Sequence, residues 1–282
     1  MSTPPILRSA DHDHETNARL VISCEHGGNR IPARYRHFFV AHQAVLATHR
    51  GYDAGALRMA RELAAVFDAP LVFATVSRLL VDLNRSVDHP HLHLAQIRSA
   101  PASVRQDILR QHYLPYRHEV EHRVRQGIAD HGRVIHLASH SFTPELNGKV
   151  RHADIGLLYD PARPGEAQFC ERWKMALKQC APALVVRRNY PYAGKNDGLA
   201  RHLRRALPPD TYLAIELEIN QKHVAGNARA WARLRQVIID ALRQALGRPG
   251  PDTASNPQPP SPFPSLSAPT TGPCRRNAGA PP

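Results

Sequence analysis

The sequence predicts an α/β fold in which a mostly parallel, mixed sheet is flanked by helices on both faces. Short apolar runs rich in β-branched residues alternate with longer segments whose apolar residues recur at helical spacing. This alternation favours a parallel sheet, because parallel strands need crossover connections, which are usually helices. In addition, several apolar runs end in polar side chains, and the carboxyl ends of strands are where open α/β sheets bind ligands.

The strands are predicted from short apolar runs. The first, 19–24 (RLVISC), ends in a polar loop that begins with Glu25 and His26. A second strand is expected at 70–76, and 79–83 is either a third strand or its continuation. Further strands are expected at 134–138, 155–159, 183–187 and 212–220.

The helices are predicted from apolar residues spaced three and four apart. They are expected at 53–67, 103–129, 166–180, 199–207 and 227–246. Asp53 is placed to cap the first helix, and Pro115 to kink the long second one. The segment 190–198 (YPYAGKNDG) has the composition of a turn-rich loop.

Composition sets the expected domain boundaries. The 282 residues are enough for one large domain, which we predict as a metallohydrolase domain at 17–247. Residues 1–16 are expected to be a flexible N-terminus. Residues 248–282 are rich in Pro, Ser, Ala and Thr, a composition that cannot bury a core, so this tail is expected to be disordered.

Charge and cysteine content limit the class of partner. The net charge is +13, but the arginines are scattered along predicted helices without an aromatic stacking series, so we expect no nucleic-acid partner. No apolar run reaches the ~18 residues that span a bilayer, which predicts no membrane partner. The four cysteines form no CxxC pair, which fits a reducing cytoplasm. A monomer or small homo-oligomer is expected.

Metal-binding side chains follow two of the predicted strands. Glu25 and His26 follow the first, His140 follows the strand at 134–138, and Asp53 opens the first helix. Two histidines and a carboxylate with an open fourth position are the usual layout of a catalytic zinc site, which polarises a carbonyl and activates water for amide hydrolysis. We therefore expect one Zn²⁺ ion, with other divalent metals compatible. The alternative is structural: each histidine hydrogen-bonds a turn and Asp53 only caps its helix.

Two carboxylates lie in the last predicted strand, 212–220. Glu216, Glu218 and Asn220 share one face of it, and Ile, Leu and Ile take the other. Carboxylates on a buried strand are costly without a cation or hydrogen-bond partners, so both are catalytic candidates, with Glu218 suited to general acid–base work. An edge strand with a wet face is the alternative.

The segment 77–85 (SRLLVDLNR) places Arg78, Asn84 and Arg85 around an apolar core. Arginine forks suit recognition of a substrate carboxylate. A structural salt bridge to Asp82 or Asp88 explains the arginines equally well.

Taken together, these segments resemble the N-formylglutamate amidohydrolase family. The resemblance spans about residues 21–221 and follows the family's order through VISCEHGGNRIP, the helix opened by Asp53, SRLLVDLNRS, LASHSF, NYPYAGKNDG and LEIN. It implies a fold similar to the zinc carboxypeptidases and a metal-dependent deformylase of an N-acyl amino acid, a small molecule such as N-formyl-L-glutamate.

The resemblance also implies roles for individual residues. His26 and His140 match the family's strand-end histidines, Asp53 its helix-opening acid and Glu218 the glutamate of the last strand. Arg78, Asn84, Arg85 and the loop residue Tyr192 are assigned to substrate binding. Position 25 departs from the pattern, being Glu where formylglutamate hydrolases tend to have Pro, and the helix opening is reduced to GYDAGA. Glu25 is therefore an alternative ligand to Asp53.

Two other functions remain open at this point. One is a metal-dependent amidase or peptidase that acts on a larger N-acyl amino acid or a cell-wall fragment. The other is a non-catalytic basic binding protein that keeps the fold.

Overall fold

The apolar runs of the sequence form one six-stranded sheet in the computed structural model, which describes residues 19–247. Its strands are β1 (Arg19–Cys24), β2 (Leu71–Phe73), β3 (Val134–Phe142), β6 (Ile155–Leu158), β7 (Val186–Arg188) and β8 (Tyr212–Asn220). A hairpin of β4 (Glu145–Leu146) and β5 (Lys149–Val150) lies apart from it. The predicted flexible N-terminus, 1–16, and the predicted disordered tail, 248–282, lie outside the described residues.

The sheet is mixed and mostly parallel, as predicted. The strand order is β2-β1-β3-β8-β6-β7, and only the β6–β8 pair is antiparallel among the pairs of this sheet. Strand β8 therefore lies inside the sheet between β3 and β6. The interpretation of this segment as an edge strand with a wet face is wrong, because both of its edges are hydrogen-bonded and nearly all of its residues are buried.

Helices cover the sheet. They are α1 (Gln43–Leu46), α2 (Ala56–Phe67), α3 (Ala95–Arg98), α4 (Ala102–Ile108), α5 (Leu114–His131), α6 (Pro164–Cys180), α7 (Leu199–Ala206) and α8 (Ala228–Ala245), with a 3₁₀ helix at Ala33–His42 and a π-helical turn at Leu109–Tyr113. Two apolar cores result. One includes residues of α2, α6 and α8, the other residues of α5 and α7, and each takes alternate side chains of the central strands. This arrangement confirms the predicted α/β class.

Two local predictions are wrong. Residues 79–83 form turns instead of a strand, since the amide of Leu80 donates to Ser77 and that of Asp82 to Leu92. A short apolar run does not distinguish a buried turn from a strand. Asp53 does not cap α2, whose N-cap is Gly55 in the left-handed region at φ 82°. The predicted helix 103–129 is confirmed, since residues 102–131 are helical throughout, with a π-helical turn at Leu109–Tyr113 shortly before Pro115.

The register of the central strands sets the positions of polar residues. In the parallel pair β3–β8, Ala138 lies beside Glu216 and His140 beside Glu218. Because side chains alternate along a strand, these polar residues project from the same face of the sheet, near its carboxyl-terminal edge. No helix within 19–247 is both long and apolar enough to cross a membrane.

Three buried polar side chains form a hydrogen-bonded network on this face, further from the carboxyl-terminal edge of the sheet. His136 is 1% exposed, its Nε2 lies 2.8 Å from the hydroxyl of Ser23, and its Nδ1 lies 2.8 Å from the hydroxyl of Tyr212. Burial lowers the pKa of His136 to about 4. The imidazole therefore stays neutral in the folded protein over a pH range in which an unfolded histidine, with a pKa of about 6.5, takes up a proton.

His136 should make the folded protein less stable as the pH falls from about 6.5 towards 4, because only the unfolded state binds the proton in that window. His136→Gln should reduce the slope of the unfolding free energy against pH by up to ~1.4 kcal/mol per pH unit. The measurement is urea unfolding of both proteins in EDTA at several pH values. His118→Gln, at an exposed histidine, should keep the wild-type slope; parallel curves for wild type and His136→Gln would contradict the prediction.

Candidate metal centre

A cavity of about 190 Å³ opens at the carboxyl ends of β1, β3 and β8. Nine of the ten predicted site residues line it: His26, Asp53, Arg78, Asn84, Arg85, His140, Tyr192, Glu216 and Glu218. The tenth, Glu25, is 1% exposed and lies behind His140. The fold thus brings together side chains from six separate segments of the chain.

His26, Asp53 and His140 form a compact buried group. Asp53 lies between the histidines, with its Oδ2 2.9 Å from His140 Nδ1 and 3.4 Å from His26 Nδ1. One possible ligand atom from each residue lies within 4.8 Å of the other two. Among the described residues, His26 Nδ1 has no hydrogen-bond partner although it is buried. Two imidazoles and a carboxylate at this spacing fit a divalent metal ion.

The backbone around these residues fixes their positions. The amide of Asp53 donates to the carbonyl of His26 at 2.9 Å, which ties the loop before α2 to the end of β1. After His26 the chain runs close to the segment that follows β2: a Cβ on Gly27 would lie 2.8 Å from the carbonyl oxygen of Ala74, and one on Gly28 would lie 2.7 Å from that of Thr75. Only glycine allows this approach.

Two further carboxylates contact the outer nitrogens of the histidines. Asp82 Oδ1 lies 2.7 Å from His26 Nε2. Glu25 Oε2 lies 3.1 Å from His140 Nε2, and its other oxygen accepts a hydrogen bond from the hydroxyl of Tyr116 at 3.0 Å. Asp53 therefore faces the inner nitrogens of both rings, whereas Glu25 faces the far side of one.

Arg78 joins two of the carboxylates. Its Nη2 donates to Asp82 Oδ2 at 2.7 Å, and its Nη1 lies 3.3 Å from Asp53 Oδ1. Of the two interpretations that the sequence left open, the salt bridge to Asp82 is present. These contacts engage much of the Arg78 guanidinium, which is predicted from the sequence to bind the substrate carboxylate.

These contacts keep the carboxylates ionised. Burial alone would raise the pKa of Asp53, but His26, His140 and Arg78 outweigh it and lower that pKa well below its usual range. The pKa of Asp82 is lowered against burial by Arg78 and His26, and contacts with His140 lower the pKa of Glu25 to about 2. Three buried carboxylates thus surround the histidines, with Arg78 as the fixed positive charge, and Asp53 and Glu25 raise the pKa of His140 well above its usual value against the effect of burial.

The two carboxylates of β8 have different surroundings. Glu216 Oε2 lies 3.5 Å from the side-chain amide of Asn84. Glu218 is 5% exposed, and its Oε2 has no hydrogen-bond partner among residues 19–247. Burial raises the pKa of Glu218 to about 8, with Asp53 and Glu216 adding to the effect. Glu218 can therefore both bind and release a proton near neutral pH.

The remaining predicted residues lie around the mouth of the cavity. Asn84 accepts a hydrogen bond from the amide of Leu199 at the start of α7. Arg85 makes a long contact, 3.4 Å, with the carbonyl of Asp197. Tyr192 is 45% exposed, and the guanidinium of Arg151 stacks on its ring at 5.3 Å.

Sequence reasoning did not assign Asp82, Tyr116 or His49 to the site. Asp82 contacts His26, Tyr116 contacts Glu25, and His49 lines the cavity. Only Asp82 left a signal, as a charged residue inside an apolar run. Tyr116 lies in the predicted helix at 103–129, where its ring belongs to the apolar core while its hydroxyl reaches Glu25.

Residues 18–225 match the model of the N-formylglutamate amidohydrolase family. Among solved structures, the chain is similar to the gene product Atu2144 from Agrobacterium tumefaciens, with 28% identity and a TM-score of 0.68 over 83% of this chain and 93% of that one. It also shares the fold of an N-formylglutamate amidohydrolase from Ralstonia eutropha JMP134, with 19% identity and a TM-score of 0.59 over 81% and 93%. No curated protein matches the chain significantly.

Arg78→Met should lower the free energy of unfolding by about 3 kcal/mol, because Asp53 and Asp82 would lose their shared cation while remaining buried. Arg85→Met is the matched control and should cost less than about 1 kcal/mol, since its one long contact is to a carbonyl. Urea unfolding of the three proteins measures both values. Equal losses in the two variants would contradict the assignment of Arg78 to this ion-pair network.

Proposed function

Since the chain belongs to the N-formylglutamate amidohydrolase family, whose members cleave linear amide bonds, we propose that it is a zinc-dependent hydrolase of N-formyl amino acids. The products are formate and the free amino acid, and N-formyl-L-glutamate is the first substrate to test. The observation that supports metal dependence most directly is the convergence of His26, Asp53 and His140, with His26 Nδ1 buried and unpartnered within the described residues.

The proposed ligands are His26 Nδ1, Asp53 and His140 Nδ1. Two imidazoles and one carboxylate suit zinc, and three protein ligands leave a position for the reaction. When bound, the ion would polarise the amide carbonyl and lower the pKa of water. We assign the carboxylate position to Asp53 instead of Glu25, because only Asp53 lies between the two inner nitrogens.

Glu218 is the proposed proton carrier. It lies beside His140 across the β3–β8 pair and lines the cavity, so its carboxylate faces the proposed reaction centre. Glu218 accepts a proton from the water as the water oxygen bonds to the carbonyl carbon, and it delivers that proton to the leaving nitrogen as the C–N bond breaks. Glu216 is a weaker candidate for this step, since the amide of Asn84 already contacts one of its oxygens.

Arg85 is the proposed clamp for the substrate carboxylate, since Arg78 is engaged by two aspartates. Two further arginines, Arg50 and Arg151, lie close enough to His49 in the cavity lining to lower its pKa, after the larger effect of burial. Arginines near the mouth favour anionic substrates. The volume of about 190 Å³ is below the ~300 Å³ of pockets for drug-sized ligands, which favours a small N-acyl amino acid over a cell-wall fragment.

His140→Ala should lose both bound zinc and formate release, because it removes one of three proposed protein ligands. The measurement is metal content by mass spectrometry together with N-formyl-L-glutamate hydrolysis, for wild type and variant. Wild-type protein that binds zinc but releases no formate would redirect the search to other N-acyl amino acids. Wild-type protein that releases formate while binding no metal would contradict the proposed zinc mechanism.

Glu218→Gln should keep its zinc and lose at least ~100-fold in kcat, because an amide cannot carry the proton. Glu216→Gln is the matched control on the same strand and should lose less than ~10-fold. Steady-state kinetics and metal content are measured on both variants. A reversed order of the two kcat values would assign the proton transfer to Glu216 instead.

A further inference from the structure

We propose that Glu25 and Tyr116 form an outer clamp that orients His140 for metal binding, so that Glu25 is a positioning residue and not a ligand. The inference rests on the proposed metal site and goes beyond it, because it assigns a role to two residues outside the ligand set. The observation that carries it is the pair of buried atoms Glu25 Oε2 and His140 Nε2, which lie 3.1 Å apart.

Neither atom has a hydrogen bond of good geometry within residues 19–247, and the contact between them at 3.1 Å is an ion-pair contact. Glu25 is 1% exposed and His140 3%, so water is largely excluded from both. A buried carboxylate oxygen without a hydrogen-bond donor is costly. The two atoms can satisfy each other only if Nε2 of His140 carries a proton.

That proton position is the one that metal binding requires. An imidazole that gives Nδ1 to a metal ion carries its proton on Nε2, and a carboxylate that accepts this proton fixes both the tautomer and the ring orientation. Glu25 meets this requirement for His140. Asp82 does the same for His26 at 2.7 Å, so both histidines have an outer carboxylate.

Tyr116 completes the clamp by fixing Glu25. Its hydroxyl donates to Glu25 Oε1 at 3.0 Å, which leaves Oε2 directed at His140. Tyr116 comes from α5, which packs against β1 and β3, and its ring is buried in the apolar core on this face. The carboxylate is thus held from the side opposite the histidine.

The geometry also separates this role from direct ligation. Glu25 contacts Nε2 of His140, whereas Asp53 contacts Nδ1 of the same ring. These two nitrogens point away from each other, so an ion held at Nδ1 with Asp53 and His26 is out of line with the Glu25 contact. Only one of the two carboxylates can join that ion, and Asp53 has the position for it.

The test is the zinc affinity of Glu25→Gln and Tyr116→Phe, measured at pH 7.5 by competition with a chromophoric chelator. Glu25→Gln should raise the Kd for zinc ~10- to 100-fold, the usual effect of losing an outer carboxylate. Tyr116→Phe should raise it less, since Glu25 remains. Glu62→Gln and Tyr35→Phe are the matched controls. Glu62 pairs with Arg58 and Arg235, and Tyr35 with Asp107, so both variants should keep the wild-type Kd for zinc.

A second readout distinguishes positioning from a general loss of structure. Metal-free Glu25→Gln should keep the wild-type far-UV circular dichroism and unfold in one cooperative step, at a Tm no higher than that of wild type because His140 loses the carboxylate beside its Nε2. The visible spectrum of its Co²⁺ form should keep the wild-type bands, which indicates the same coordination number. Unchanged zinc Kd values in both variants would overturn the inference. So would altered Co²⁺ bands with a more than ~10³-fold loss of affinity, which would make Glu25 a ligand. Wild-type protein that binds no zinc would overturn the proposed function as well, which separates the two failures.

Discussion

Buried carboxylates are the constraint on which the site depends. Asp53, Asp82 and Glu25 are each at most 5% exposed, and an ionised carboxylate is stable in such surroundings only beside a cation or several N–H and O–H donors. Arg78 supplies one cation to two of them, and the histidines supply the inner contacts. The three carboxylates lie around two imidazoles, and a divalent cation would balance their negative charge. This cluster as a whole argues for a metal more strongly than any single residue does.

The sheet explains why these groups meet. Parallel strands bring their carboxyl ends to one edge, and β1, β3 and β8 are adjacent in the strand order. The β3–β8 register then places His140 beside Glu218, and the loop before α2 is tied to the end of β1 through the amide of Asp53. The apolar faces of the same strands pack against helices on both sides, so the polar edge is held by a rigid core.

The sequence predicted the strands and helices that carry the site, because apolar periodicity in 19–24 and 212–220 is unambiguous. It also singled out the side chains that the fold assembles, since polar residues at the ends of buried strands are unusual. It failed where a contact depends on tertiary geometry. Nothing local shows that Asp53 turns towards histidines instead of capping α2, or that residues 79–83 form turns.

The choice between Glu25 and Asp53 illustrates the same limit. Both are acids close in the chain to a predicted strand or helix end, and the sequence gives no direction for either side chain. In the structure they lie on opposite nitrogens of His140. Tyr116, which is distant from both acids in the sequence, contributes to this difference because its hydroxyl donates a hydrogen bond to Glu25.

The most direct measurement is anomalous X-ray diffraction from crystals of the zinc-loaded protein, collected above and below the zinc absorption edge. The proposed site predicts one strong anomalous peak about 2.0–2.2 Å from His26 Nδ1, His140 Nδ1 and an Asp53 oxygen. A peak coordinated by Glu25, or zinc bound only away from these three residues, would contradict it.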